Sequence, residues 1–99
     1  MKYRVVVAPE VIRNLDDIFE RIAEDNPRAA AKLVEKLGRK IRALYHTPRR
    51  CPYAPEHGVL EIAEVRHLLY GRYRIIFGIE GKTVIILEIR HSARLPTTK

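Results

Sequence analysis

The apolar residues of this chain change period from two to nearly four and back to two. Residues 2–8, KYRVVVA, place Tyr3, Val5 and Val7 on one parity, the mark of a short strand with one buried face. Pro9 ends that run and suits the first turn of a helix, where its missing N–H is not needed, and Glu10 complements the positive end of the helix dipole. Ile12, Leu15, Ile18, Phe19 and Ile22 follow at intervals of three and four, with Arg13, Asp16, Asp17, Glu20 and Glu24 on the other side. This predicts an amphipathic helix from Pro9 to about Asp25. Asn26 can cap a second helix whose first position is Pro27, and so short a link predicts an antiparallel helical hairpin. In the second helix Ala30, Leu33, Leu37, Ile41 and Leu44 form the stripe, flanked by Val34 and Tyr45, and Thr47 and Pro48 close it. Gly38 stands mid-helix, where it costs about 1 kcal/mol relative to alanine. Close approach of another backbone is the expected compensation.

Residues 49–58, RRCPYAPEHG, carry two prolines and a glycine and read as an irregular loop. Cys51 has no activating neighbour in sequence and reads as an inert, partly buried thiol; the adjacent Glu56 and His57 read as ordinary surface groups. The period then returns to two. Tyr73, Ile75, Phe77 and Ile79 alternate with Arg72, Arg74, Ile76 and Gly78, so Arg72 and Arg74 share the face away from the helices. Glu80, Gly81 and Lys82 supply a hairpin turn, and residues 83–91 form the last strand. Its Ile85, Leu87 and Ile89 parity is wholly apolar and is expected to face the helices, which places Arg90 beside Arg74 and His91 on the inward row. The strand over 64–69 has two registers open to it. A three-residue turn around Gly71 puts Arg66 beside Arg74 and Val65, His67 and Leu69 inward, whereas a two-residue turn puts His67 beside Arg74, because one residue of slip flips every side chain. The first buries the better apolar set and is the one expected, with His67 half-buried and hydrogen-bonded.

At 99 residues the chain is expected to form one domain over 1–99, large enough for a core without metal or disulfide staples. Its 46% hydrophobic and 31% charged residues exclude a disordered chain. A single cysteine excludes an internal disulfide and leaves no zinc-ligand spacing, so neither metal nor cofactor is expected, and a reducing cytoplasm is the natural location. The opening apolar run is too brief for a signal peptide core or a membrane span. The net charge of +7, from 19 Lys and Arg against 12 Asp and Glu, points to a polyanion or an acidic protein as partner. Its distribution is sharper: residues 9–26 carry six acids and two bases, whereas 27–50 carry eight bases and one acid. Arg28, Lys32, Lys36, Arg39, Lys40 and Arg42 decorate the second helix, and no aromatic is interleaved among them for stacking, so a solvated face is the plainer reading and a nucleic-acid or acidic-partner surface the alternative.

The order of strand, helical hairpin and three-stranded meander resembles the RelE/ParE superfamily of type II toxin–antitoxin, or plasmid stabilisation, systems. The segments that carry the resemblance are APEVIRNLDDIFERIAEDNPRAA at the front and VRHLLYGRYRIIFGIEGKTVIILEIRHSAR at the back, the pairing of a GRYRIIF-like strand with an IRHSAR-like ending above all. It implies an α+β fold, β-α-α-β-β-β, with the helical hairpin packed on one face of a mainly antiparallel sheet. It also implies a cognate antitoxin, small and acidic, that folds onto the toxin as a helix or an added strand.

Two functions occur in the superfamily: RelE-like toxins cut messenger RNA on the ribosome without metal, and ParE-like toxins inhibit DNA gyrase. RNA cleavage needs a base, a positive charge at the phosphate and an acid for the leaving oxygen. The resemblance assigns such catalytic roles to Arg74, His91 and Arg94 and places Arg66 or His67 in a strand that carries further basic residues; Arg66, with Arg72 and Arg90 on the open face, is the expected target-binding set. The chain departs from the RelE-like pattern in two places: EVRHLLYG contains no lysine, and no tyrosine follows RHSAR. The ParE-like branch, with gyrase as target, is therefore the expected reading. A ribosome-dependent endoribonuclease is the alternative, and a toxin-like binding module without activity the remainder.

Overall fold

The computed structural model describes residues 2–92. Strand β1 (Arg4–Val7) leads into helix α1 (Pro9–Ala23) and helix α2 (Pro27–Ala43); a 3₁₀ turn (Pro48–Arg50) and a long loop then precede β2 (Glu64–Tyr70), β3 (Tyr73–Glu80) and β4 (Thr83–His91). The α+β order expected from the sequence holds. The sheet runs β1-β4-β3-β2, with β1 parallel to β4 and the other pairs antiparallel. Both helices begin as the sequence predicts, with proline at the first turn, and Asn26 Oδ1 accepts from the Ala29 N–H at 3.1 Å to cap α2. Backbone bonds from Asp25 and Asn26 to the Ile22 carbonyl fold the link back on α1.

One core lies between the hairpin and the sheet. Val11, Ile18, Leu37, Ile41 and Leu44 from the helices meet Ile75, Phe77, Ile79, Val84, Ile86 and Ile89 from the strands. At about 25 cal/mol per Å² of apolar surface removed from water, this burial is the main favourable contribution to the fold. The edge of the α1 stripe falls outside it: Ile12 is 54% exposed and Phe19 39% exposed, because Val11 takes the inward position instead. Gly38 also departs from expectation. A methyl group there would meet the Arg42 side chain at 3.5 Å and no other backbone, so no close approach compensates its helix cost.

Two strand assignments are corrected. The β2–β3 turn has two residues, Gly71 and Arg72, with Tyr70 opposite Tyr73. Gly71 has φ of 58°, the left-handed value a two-residue turn needs at its first position, and Gly81 repeats it at 62° in the next turn. His67 is therefore the residue on Arg74's face, and Arg66 lies opposite Phe77 on the helix side. In β4 the ladder slips between Ile76 and Phe77: Phe77 pairs with Ile86 and Ile76 with Glu88, so Leu87 is an extra residue without a partner. Such a bulge reverses parity. Val84 and Ile86 consequently face the helices, Ile85 and Leu87 do not, and Ile89 resumes the inward row.

The far face of the sheet is not open as the sequence suggested. A second apolar cluster of Ala54, Val65 and Ile76, flanked by Ile62 and Leu87, seats the loop between Cys51 and Ala63 across it. Gly78 permits this approach, since a β-carbon there would stand 2.8 Å from Ile62 Cγ2.

Candidate functional site

Beneath that loop lies a buried polar cluster centred on Arg74. Tyr73 and Ile75 flank it in β3, and it is 6% exposed. An arginine so placed requires a carboxylate, and Glu56, 3% exposed, supplies one from the loop. Arg74 Nη2 donates to Glu56 Oε2 at 2.8 Å and Nη1 to Oε1 at 3.3 Å, a two-pronged pair. Nη1 also lies 3.0 Å from His67 Nδ1. A guanidinium has only N–H groups to offer, so His67 accepts at Nδ1 and is neutral there. Burial and the adjacent Arg74 hold the His67 imidazolium below its ordinary pKa, with Glu56 opposing them. Burial pushes the Glu56 carboxyl up, but hydrogen bonds and charge from Arg74, with help from Arg90, outweigh it and leave the group below the usual carboxylate range. Arg90 lies opposite Arg74 in the ladder, half-buried, 3.6 Å from Glu88. The reading of Glu56 as a surface group is thus overturned, and His57 accepts the Val65 N–H at Nδ1.

A second cluster closes the sheet edge. Arg66 donates to Glu64 at 2.8 Å and to the Cys51 carbonyl, and its guanidinium sits 4.1 Å from the centre of the Tyr53 ring. Arg49 reaches the same Glu64 at 2.9 Å and Tyr3 at 2.7 Å. Burial raises the Cys51 thiol above its ordinary pKa despite Arg66, which makes it a poor nucleophile.

The remaining predicted site residues stand apart. Arg72 is exposed in the β2–β3 turn. His91 faces the helix side, edge-on to Tyr73 at 5.5 Å, in a cavity of about 50 Å³ that Asn14, Asp17 and Arg21 also line. Arg94 lies outside the described residues. Arg74 and His91 therefore occupy opposite faces of the sheet, and the structure does not bring them together. Among the described residues no group of three or more His, Cys, Asp or Glu could hold a metal ion, and no helix is long and apolar enough to cross a membrane. Glu56 and Tyr53 are the participants sequence reasoning passed over. For Glu56 a signal existed: a lone arginine inside an apolar strand demands an acid from whatever covers it.

A hairpin of helices on a four-stranded sheet of this order is the fold of the RelE/ParE toxins. Among solved structures, the chain is similar to a component of the chromosomal ParDE toxin–antitoxin system from P. aeruginosa, at 20% identity and a TM-score of 0.71, covering 91% of this chain and 96% of that one. It is also similar to chains of the RelBE2 toxin–antitoxin complex from Mycobacterium tuberculosis (22%, TM-score 0.60, 92% and 99% covered) and of the archaeal RelE–RelB complex from Pyrococcus horikoshii OT3 (18%, 0.56, 96% and 100%). These identities establish the fold alone. A comparison with curated protein sequences returns no match. The family profile of the ParE toxin of type II toxin–antitoxin system, parDE, matches residues 5–96, and the chain belongs to that family.

Proposed function

We propose that this chain arrests growth by binding DNA gyrase, and that a cognate acidic antitoxin neutralises it. The observation that supports gyrase binding over RNA cleavage is the state of Arg74. Both terminal nitrogens of its guanidinium are bonded to Glu56 in an ion pair with both side chains buried, which holds it away from a scissile phosphate. A binding toxin needs no such group; exposed side chains such as Arg72 suffice, and no cofactor enters. The net charge of +7 supports an acidic partner, and the solved relatives come from toxin–antitoxin complexes. Supercoiling by purified gyrase is expected to stop when the chain is added and to resume with the product of an acidic neighbouring reading frame. Undisturbed supercoiling at large excess, with codon-phased cuts in translated messages, would instead support the ribosome-dependent nuclease that the fold of the RelE-type relatives keeps as the second reading.

A further inference from the structure

We infer that the groove between α2 and the end of β2 binds single-stranded nucleic acid, with Tyr70 as the base platform and Lys36, Arg39 and Lys40 as phosphate contacts. The groove has a volume of about 370 Å³, that of a small-ligand site, and is lined by Lys36, Arg39, Lys40, Ala43 and Tyr70. In sequence no aromatic stands among the bases of α2; the fold supplies one, because the β2–β3 hairpin carries Tyr70 beneath Lys40, whose ammonium lies 5.6 Å from the ring centre. The aliphatic stems and the ring form an apolar slot with cationic rims, the combination that lets any base stack while its backbone is neutralised. On binding, Lys40 exchanges the ring for a phosphate, which its flexible stem allows.

Helix stability does not account for the basic stripe. Lys40 and Arg42 near the C-terminus of α2 suit the dipole, but Arg28 and Lys32 near its N-terminus oppose it, and no acid occupies the first turn. Arg28, Lys32, Lys36, Arg39 and Lys40 are all exposed, fall within one sector at 3.6 residues per turn, and run along about 18 Å of helix. Glu35, bonded to Arg39 at 3.3 Å, is the single acid on α2. Such a track tests for phosphates in series. An acidic peptide would use the lysines but not the ring, and a duplex keeps its base faces stacked internally. The inference stands independently of gyrase binding.

The test is fluorescence anisotropy of labelled oligothymidine and oligouridine of about twelve nucleotides, with a duplex of equal length and polyglutamate as comparison probes. Tyr70→Leu is expected to weaken single-strand binding about five-fold or more with the salt slope unchanged, and Tyr70→Phe to keep it. Lys36→Gln with Lys40→Gln should reduce the slope of log affinity against log salt by roughly 1.4, two phosphate contacts at about 0.7 each. Equal affinity for DNA and RNA is expected if stacking and phosphate contacts carry the binding without reading the 2′-hydroxyl; preference for one identifies the source. Binding of duplex or polyglutamate as tight as that of the single strands overturns the inference, as does an undiminished affinity of a folded Tyr70→Leu. Should that variant fail to fold, the exposed lysine pair decides: an unchanged salt slope overturns the site.

Discussion

Arg74 illustrates how one buried charge recruits the rest of its neighbourhood. Glu56→Gln leaves the guanidinium without its counter-charge where water cannot replace it, and a loss of about 3–5 kcal/mol is expected in urea denaturation. Adding Arg74→Met to that variant should recover part of the loss, because the removal of both partners leaves no uncompensated charge. The sign of the pH dependence follows from the same cluster. The folded His67 pKa lies below the ordinary value of about 6.5, so the unfolded chain binds the proton first as pH falls. Stability from this residue is complete above about pH 6.5 and declines as pH drops toward the folded pKa. Glu56, held below the usual carboxylate range, adds a further loss as pH falls from about 4.3 through its folded pKa. His67→Gln, which keeps an acceptor for Arg74, is expected to flatten the first of these declines; chemical denaturation between pH 7.5 and 5 measures it.

At the scale of elements, the loop over the far face is held by shape as well as charge. Gly78→Ala would drive a methyl group into Ile62 Cγ2, a methyl on the branched β-carbon, whose restricted χ1 leaves it little room to swing aside. A destabilisation of about 1–3 kcal/mol is expected, together with faster proteolysis between Cys51 and Ala63, and Ile62→Ala should relieve part of it. Asn26→Ala, which removes the α2 cap, should cost about 1 kcal/mol in thermal melting without altering the loop. Period and punctuation alone gave both helices and all four strands, because each of those elements buries one face and closes with proline, glycine or a cap. The register of β2 was not legible from apolar content: Leu68 and Tyr70 pack inward on the helix side while Val65 serves a second cluster on the other, so both parities look buried. The better guide was the Gly-Arg turn, whose form the Gly-Lys turn repeats. Neither the bulge in β4 nor the loop that recruits Glu56 has a local pattern, since both arise from contacts distant in sequence. The candidate site was legible as a set of arginines, but not as the division of Arg74 and His91 between two faces.

At the scale of the whole molecule, the chain separates its charges and leaves β1 and β2 as sheet edges, with Val6, Val7, Ile12 and Phe19 more than a third exposed near one of them or along α1. If the neutralising partner binds the folded chain alone, a hundred-fold excess over its Kd stabilises by about 2.7 kcal/mol, and melting should shift upward by roughly 10–20 °C. Polyglutamate at equal ionic strength should not reproduce this shift, because it offers charge without a complementary apolar surface; a thermal scan with each separates the two. Leu87 finally sets how the gene can change. Being half-buried and unpaired, it should accept most apolar replacements, and loss of its codon would remove only the bulge, seating Glu88 directly after Ile86 opposite the consecutive Ile76 and Phe77. Ile89 would keep its place in the core opposite Ile75, and Arg90 its place beside Arg74. Leu87 is therefore a position in β4 where deletion and substitution should both be tolerated.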